Sequence, residues 1–249
     1  VILKGQTLAP FEESYRVLSS GFIKDIFGGQ GLHITTLVIG LLFSLVYIYN
    51  EFRDRKNKIK YGFKVPSINL LIGKIAVVLV AVNLLTYSLA AYKGAPNVLV
   101  LLAFLVLVYS FIANKTIAGR YIYAIGGNEK AARLSGIKTD MILFWVYVNM
   151  GLLTALAGIV FTGRLNAAMP RAGTGFELDA IAACYIGGAS ASGGVGTIIG
   201  AMIGGLVMGV LNNGMSILAI GIDWQQAIKG LVLLVAVAFD AYTKAKANR

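Results

Sequence analysis

Between residues 180 and 222 the chain carries no Asp, Glu, Lys, Arg or His. A stretch of that length without charge does not form a water-facing surface. It also holds Gly187-Gly188, Gly193-Gly194 and Asn212-Asn213-Gly214, punctuation that divides it into more than one membrane element. Thr174 and Glu177 have capping-box spacing, which predicts a short helix from about Leu178 to the first glycine pair. A second helix is expected over about 195–211. Asp223 with Gln226 repeats the capping-box spacing and opens a last helix to about Tyr242.

The rest of the chain follows the same rule. Of 249 residues 57% are hydrophobic and 13% charged, whereas a water-soluble domain carries about 25% charge. The fold class is therefore all-α, a polytopic transmembrane helical bundle forming a single domain over 1–249. Apolar runs at 34–50, 70–91, 98–113 and 141–163 are span candidates, the first of them near the short limit. Ser67 suits a helix cap, Pro96 a helix start, and Thr139 with Asp140 the beginning of the fourth run. Residues 1–32 mix Gly, Pro and charge and read as a surface segment with one short helix near 11–21. The chain starts at Val1 with no signal peptide visible, and is expected to lack upstream transmembrane helices.

Cations orient the bundle. Residues 51–64 hold Arg53, Arg55, Lys56, Lys58, Lys60 and Lys64, residues 115–140 hold five more, and the tail holds Lys244, Lys246 and Arg249, fourteen on one side. Residues 1–32 with Lys93, Arg164 and Arg171 place six on the other. Basic loops resist translocation, so the first set is expected in the cytoplasm and residues 1–32 outside. The loop at 51–64 also suits contact with anionic lipid. The excess of base does not indicate nucleic acid, because no basic helix has interleaved aromatics.

Chemistry is sparse. Cys184 and His33 are the only residues of their kinds, which excludes an internal disulfide and a His or Cys metal site. Gly73-Lys74 is followed by Ile75, so no phosphate-cradling loop is present and no catalytic residue is assigned. Glu177 and Asp179, two apart on a helix, point different ways and read as helix-start charges. Lys74 can snorkel at a span end, and Lys229, the one clearly embedded cation, either snorkels or pairs. Neutral polar groups within the runs, Asn83, Asn149, Thr154, Asn212 and Asn213, are candidates for a polyol pathway or for hydrogen bonds between helices. Gly196, Gly200 and Gly204 recur every fourth residue, with Gly205 and Gly209 one position on, and leave one helix side almost bare. That pattern suits close backbone packing, static or sliding.

One polar stretch interrupts the spans. In residues 124–136, Ala-Ile-Gly-Gly-Asn-Glu-Lys-Ala-Ala-Arg-Leu-Ser-Gly, Asn128 can cap, Glu129 suits a helix N-terminus, Ala131 and Ala132 its middle, and Gly136 a left-handed end. From these residues alone, a simple re-entry turn fits as well as a docking helix. The segment resembles the cytoplasmic coupling loop of ABC importer permeases, and its flanks Gly119-Arg120-Tyr121 and Leu134-Ser135-Gly136-Ile137 resemble the monosaccharide branch. Phe176-Glu-Leu-Asp-Ala-Ile-Ala-Ala183, Ile186-Gly-Gly-Ala-Ser190, Gly193-Gly-Val-Gly-Thr197, Asn213-Gly-Met-Ser216 and Lys229-Gly-Leu-Val-Leu-Leu234 extend the likeness, while the basic insertion at 51–64 and Gly173-Thr-Gly-Phe-Glu-Leu-Asp179 resemble its xylose-type members. The resemblance implies the ABC importer permease fold, with this chain as the C-terminal part of about ten helices. It implies a sugar permease of the cell membrane that binds no cofactor itself, ATP and Mg being held by partner ATP-binding cassette subunits. A second permease copy and an extracytoplasmic sugar-binding protein complete the implied assembly. Gly126, Gly127, Asn128, Glu129, Ala131, Ala132, Arg133 and Gly136 are the implied ATPase-coupling residues. An ion-coupled secondary transporter is the alternative, and the lack of acids within the spans counts against it.

Overall fold

In the computed structural model, residues 6–28, 32–63 and 65–247 are described; Lys4, Lys64 and Arg249 of the charge map lie outside them. Among the described residues the chain is helical, with two isolated β-bridges, Leu8 to Ala168 and Phe22 to Pro96. It divides into two units, one formed by Phe11–Leu101 and the other by Val1–Pro10 together with Leu102–Arg249.

The first unit holds α1 (Glu13–Ser20), α2 (Ile34–Lys60), α3 (Ile68–Tyr92) and the beginning of α4 (Asn97–Lys115). α1 matches the short helix expected near 11–21. The start of α2 is capped from a distance: the Asp25 carboxylate accepts the N–H groups of Ile34 and Thr35, each at 3.2 Å, and the Thr35 hydroxyl at 2.7 Å. These bonds satisfy donors that a helix start leaves without an intrahelical acceptor. α2 does not end with its apolar run but continues to Lys60, so most of the expected basic loop is helix. The reason is local, since Glu, Arg and Lys are good helix formers and an existing helix extends at little cost. α2 packs on α3, where Lys74 pairs with Glu51 at 2.6 Å rather than simply snorkelling. Ser67 occupies the N-cap position of α3, but its side chain makes no capping bond.

The second unit continues with α5 (Ile117–Gly127), α6 (Glu129–Leu134), α7 (Thr139–Leu165), α8 (Phe176–Ile186), α9 (Ile198–Ile217) and α10 (Ile222–Ala247). α8 packs along α9 and also meets α10, around Ala182, Ala183 and Met208, with Ile186, Val232 and Leu233 against them. The bare face of α9 makes this possible. A Cβ on Gly200 would collide with the Gly187 carbonyl, and one on Gly204 with that of Ala183. Gly205 and Gly209 face open space instead, and Gly196 lies ahead of the helix.

Three boundaries differ from expectation. α9 begins at Ile198, capped by Thr197, and passes through Asn212-Asn213-Gly214 to Ile217. A mid-helix glycine costs about 1 kcal/mol, too little to end a helix in surroundings that offer no water to freed backbone groups. The capping box of Thr174 does not form, because Gly175 takes the N-cap at φ 86° and the Thr174 hydroxyl donates to the Arg171 carbonyl. Asp223 lies inside the first turn of α10, one residue after its start, and α10 extends beyond Tyr242. Six helices among the described residues are long and apolar enough to span a membrane: α2, α3, α4, α7, α9 and Ile222–Thr243 of α10. Their large apolar side chains are mostly exposed, the expected condition of surfaces solvated by lipid.

Candidate functional site

The site is built at the turn between α5 and α7. Thr116 caps α5 by accepting the Gly119 N–H at 3.2 Å. Asn128 then serves two helices. Its N–H donates to the Ala124 carbonyl at 3.0 Å and closes α5, while its side-chain oxygen accepts the Ala131 N–H at 3.0 Å and opens α6. One extended residue thus redirects the chain without a flexible linker.

α6 is short, six residues, and Ala124 to Gly127 belong to α5 instead of to the polar helix expected over 124–136. Its end is a complete Schellman motif. Gly136, at φ 84°, donates to the Arg133 carbonyl at 3.0 Å and Ile137 to the Ala132 carbonyl at 3.1 Å. Ala132 is the buried residue of α6; Glu129, Lys130, Ala131 and Arg133 are exposed, and Leu134 is 90% exposed. Leu134 is thus the large apolar side chain of a helix that is otherwise mostly polar on its exposed face.

Arg133 fixes the helix to α7. Its guanidinium donates to the Thr139 hydroxyl at 3.1 Å and to the Asp140 carboxylate at 2.6 Å, with Glu129 further off at 3.7 Å. Glu129 and Arg133, four apart on one face of α6, form this longer ion pair. The stronger tie, to Asp140, depends on the Schellman turn bringing the start of α7 back beside α6. Gly126 and Gly127 lie against Gly193 and Gly194 of the α8–α9 loop.

The neutral polar residues of the spans are taken up largely by packing bonds. Asn83 donates to the Leu79 carbonyl at 2.8 Å and to Ser44 at 3.2 Å, joining α3 to α2. Asn149 accepts the Tyr109 hydroxyl at 2.5 Å, and Thr154 donates to Met150 of its own helix at 2.8 Å. Asn213 is exposed on α9, whereas Asn212 joins a group that sequence reasoning missed. Its amide donates to Asp179 at 2.9 Å, and Lys229 donates to the same carboxylate oxygen at 2.9 Å. α8, α9 and α10 meet at this pair. Lys229 Nζ also lies 2.9 Å from Asp179 Oδ1 but not in hydrogen-bonding alignment, so that oxygen, like Asn212 Oδ1, is buried without a hydrogen-bond partner. The signal in the sequence was the embedded Lys229, for which pairing was one of two readings, while Asp179 read as a helix-start charge. Among the described residues no group of His, Cys, Asp and Glu is arranged to hold a metal ion.

Span-length apolar helices with a capped polar helix between two of them define a multi-pass membrane protein. Residues 17–237 match the family model described as the permease component of the branched-chain amino acid transport system, and the chain belongs to that family. It is 37% identical over 243 residues to the xylose transport system permease protein XylH of Escherichia coli, covering 98% of this chain and 60% of that protein. For the XylH of Haemophilus influenzae the identity is 36% over 245 residues, covering 98% and 63%. The ribose import permease protein RbsC of Bacillus subtilis is 49% identical over 145 residues, 58% of this chain and 44% of that protein. The chain thus spans about three fifths of the xylose-permease relatives. No solved structure matches it.

Proposed function

We propose that this chain is membrane-spanning permease sequence of an ATP-driven importer for a monosaccharide, most simply a pentose such as xylose. α6 docks on a cytoplasmic ATP-binding subunit that holds ATP and Mg. A second permease copy and an extracytoplasmic sugar-binding protein complete the transporter, and alternating exposure of a path through the bundle carries the sugar. The observation that carries this reading is the rigid, exposed α6, capped at both ends and fastened to α7 through Arg133. The names of the relatives supply the sugar class, xylose and ribose both being pentoses.

A secondary transporter would need an embedded carboxylate free to load and release an ion. Asp179 is instead matched by Lys229. The test is uptake of labelled xylose into vesicles containing the full-length permease with its co-expressed ATP-binding and sugar-binding partners. Uptake that requires ATP and persists when ion gradients are collapsed supports the proposal. Uptake driven by an ion gradient without ATP refutes it.

A further inference from the structure

We infer that the backbone contact between Gly126–Gly127 and Gly193–Gly194, with the Tyr123 hydroxyl beside it, carries movement of α6 to the α8–α9–α10 group, so that Tyr123 and Gly194 are positioning residues for transport. The inference rests on the reading of α6 as the docking helix.

α6 and the end of α5 share Asn128, bonded to both, so a displacement of α6 moves Gly126 and Gly127 with it. Those glycines meet the α8–α9 loop without clearance. A Cβ on Gly126 would lie 2.6 Å from Gly194 N, one on Gly193 would lie 2.5 Å from Gly126 O, and one on Gly194 would lie 2.8 Å from Gly127 Cα. Side chains normally cushion such contacts. Here backbone bears on backbone, and a packed contact of this kind transmits displacement instead of absorbing it. The Tyr123 hydroxyl adds a directional bond, donating to the Gly196 carbonyl at 2.8 Å.

The loop is fastened on its far side too. Ser190 donates to Asp240 of α10 at 3.0 Å, as does the Ala191 N–H at 3.1 Å. Within the loop, Ser190 N–H donates to Val195 and Gly193 N–H to Ser190. Gly187 touches Gly200 backbone, and Asp179, Asn212 and Lys229 join the same three helices again. The loop is therefore a stiff piece between α6 and a three-helix group. Spatial continuity alone is not coupling, and a perturbation of the link decides the matter.

The experiment uses the complete importer in proteoliposomes, comparing wild type with Tyr123→Phe and Gly194→Ala. Sugar uptake, ATP hydrolysis and retention of the ATP-binding subunit are read on the same preparation. Tyr123→Phe is expected to keep assembly and basal hydrolysis while lowering sugar moved per ATP by between about 2-fold and 30-fold. Spin labels at Lys130 and Ser192 supply a second readout. Their separation should be constant between nucleotide-free and ATP-bound states in the wild type and change between those states in the variants. Gly194→Ala adds a Cβ at φ 74° and is the stronger perturbation. Should it fail to assemble, Tyr123→Phe, which removes one hydroxyl, carries the test. Unaltered stoichiometry in Tyr123→Phe, or a label separation that varies with nucleotide in the wild type, overturns the inference. Failure of the wild-type permease to retain an ATP-binding subunit at all would overturn the functional reading beneath it and this inference along with it, an outcome seen before any variant is compared.

Discussion

Replacing Lys229 by Met tests whether the Asp179–Lys229 pair holds the three-helix group together. The two charges approach to 2.9 Å, and their side chains are only 15% and 17% exposed. Arg133 and Asp140 approach more closely, at 2.6 Å, but are 58% and 86% exposed. Exposure, not distance, separates their contributions. A surface pair contributes about 0–1 kcal/mol, while removing one partner of a buried pair costs about 3–5 kcal/mol, because the other charge is left uncompensated. Met preserves the length and apolar stem of Lys, so the change isolates the charge. Thermal unfolding of purified permease in detergent, followed by loss of the monodisperse species, should show Lys229→Met lowered by roughly 6–20 °C. The double variant Asp179→Asn, Lys229→Met removes both charges and leaves a neutral partner for Asn212, and should recover most of that loss. A single variant as stable as wild type, or a double variant no better than the single, would show that the pair does not hold the helices together.

Other expectations follow from packing and caps. Leu at Gly200 or Gly204 would collide with the backbone of α8 from its Cβ onward and should cost about 1–3 kcal/mol, lowering folded yield, whereas a Cβ at Gly205 or Gly209 meets nothing within 4 Å and Leu there should be better tolerated; equal yields across the four variants would contradict the close contact. At Gly136 a Cβ would meet nothing within 4 Å, but Gly136→Val must adopt φ near 84°, a strain of about 1–3 kcal/mol; sugar-stimulated ATP hydrolysis should fall while permease yield holds, and full stimulation would show that the α6 end is only a turn. Cysteines introduced singly at Asn57 and Lys93 in a Cys184→Ala background should react from opposite sides of the membrane, and labelling of both from outside would overturn the orientation drawn from the basic residues.

Features encoded locally were legible in the sequence. Asn128 and Gly136 perform the capping roles their residue types suggest, because a cap is decided by a few adjacent backbone groups. Gly200 and Gly204 also revealed their role, since a four-residue repeat of glycine leaves a helix with a bare side wherever its neighbour lies. Helix ends within the spans were harder. Charge at Glu51 marks where the apolar run stops, but the hydrogen-bonded helix continues to Lys60. Asn212-Asn213-Gly214 reads as a break by the rules of water-exposed chains, yet Asn212 finds Asp179 and α9 continues. Asp179–Lys229 and Arg133–Asp140 were not legible because each depends on where another helix begins or packs, which spacing along one helix does not convey.

If α6 docks on an ATP-hydrolysing partner, Leu134 lies at the contact. At 90% exposure it projects from α6 and can be replaced by a photo-crosslinking amino acid without disturbing the buried Ala132. Irradiation of the assembled transporter, followed by mass spectrometry of the crosslinked products, should join position 134 to the ATP-binding subunit, while a probe at Leu152, exposed in the apolar middle of α7, should not. Crosslinks from position 134 to lipid or to the permease alone, in a preparation where the ATP-binding subunit is bound, would contradict the account.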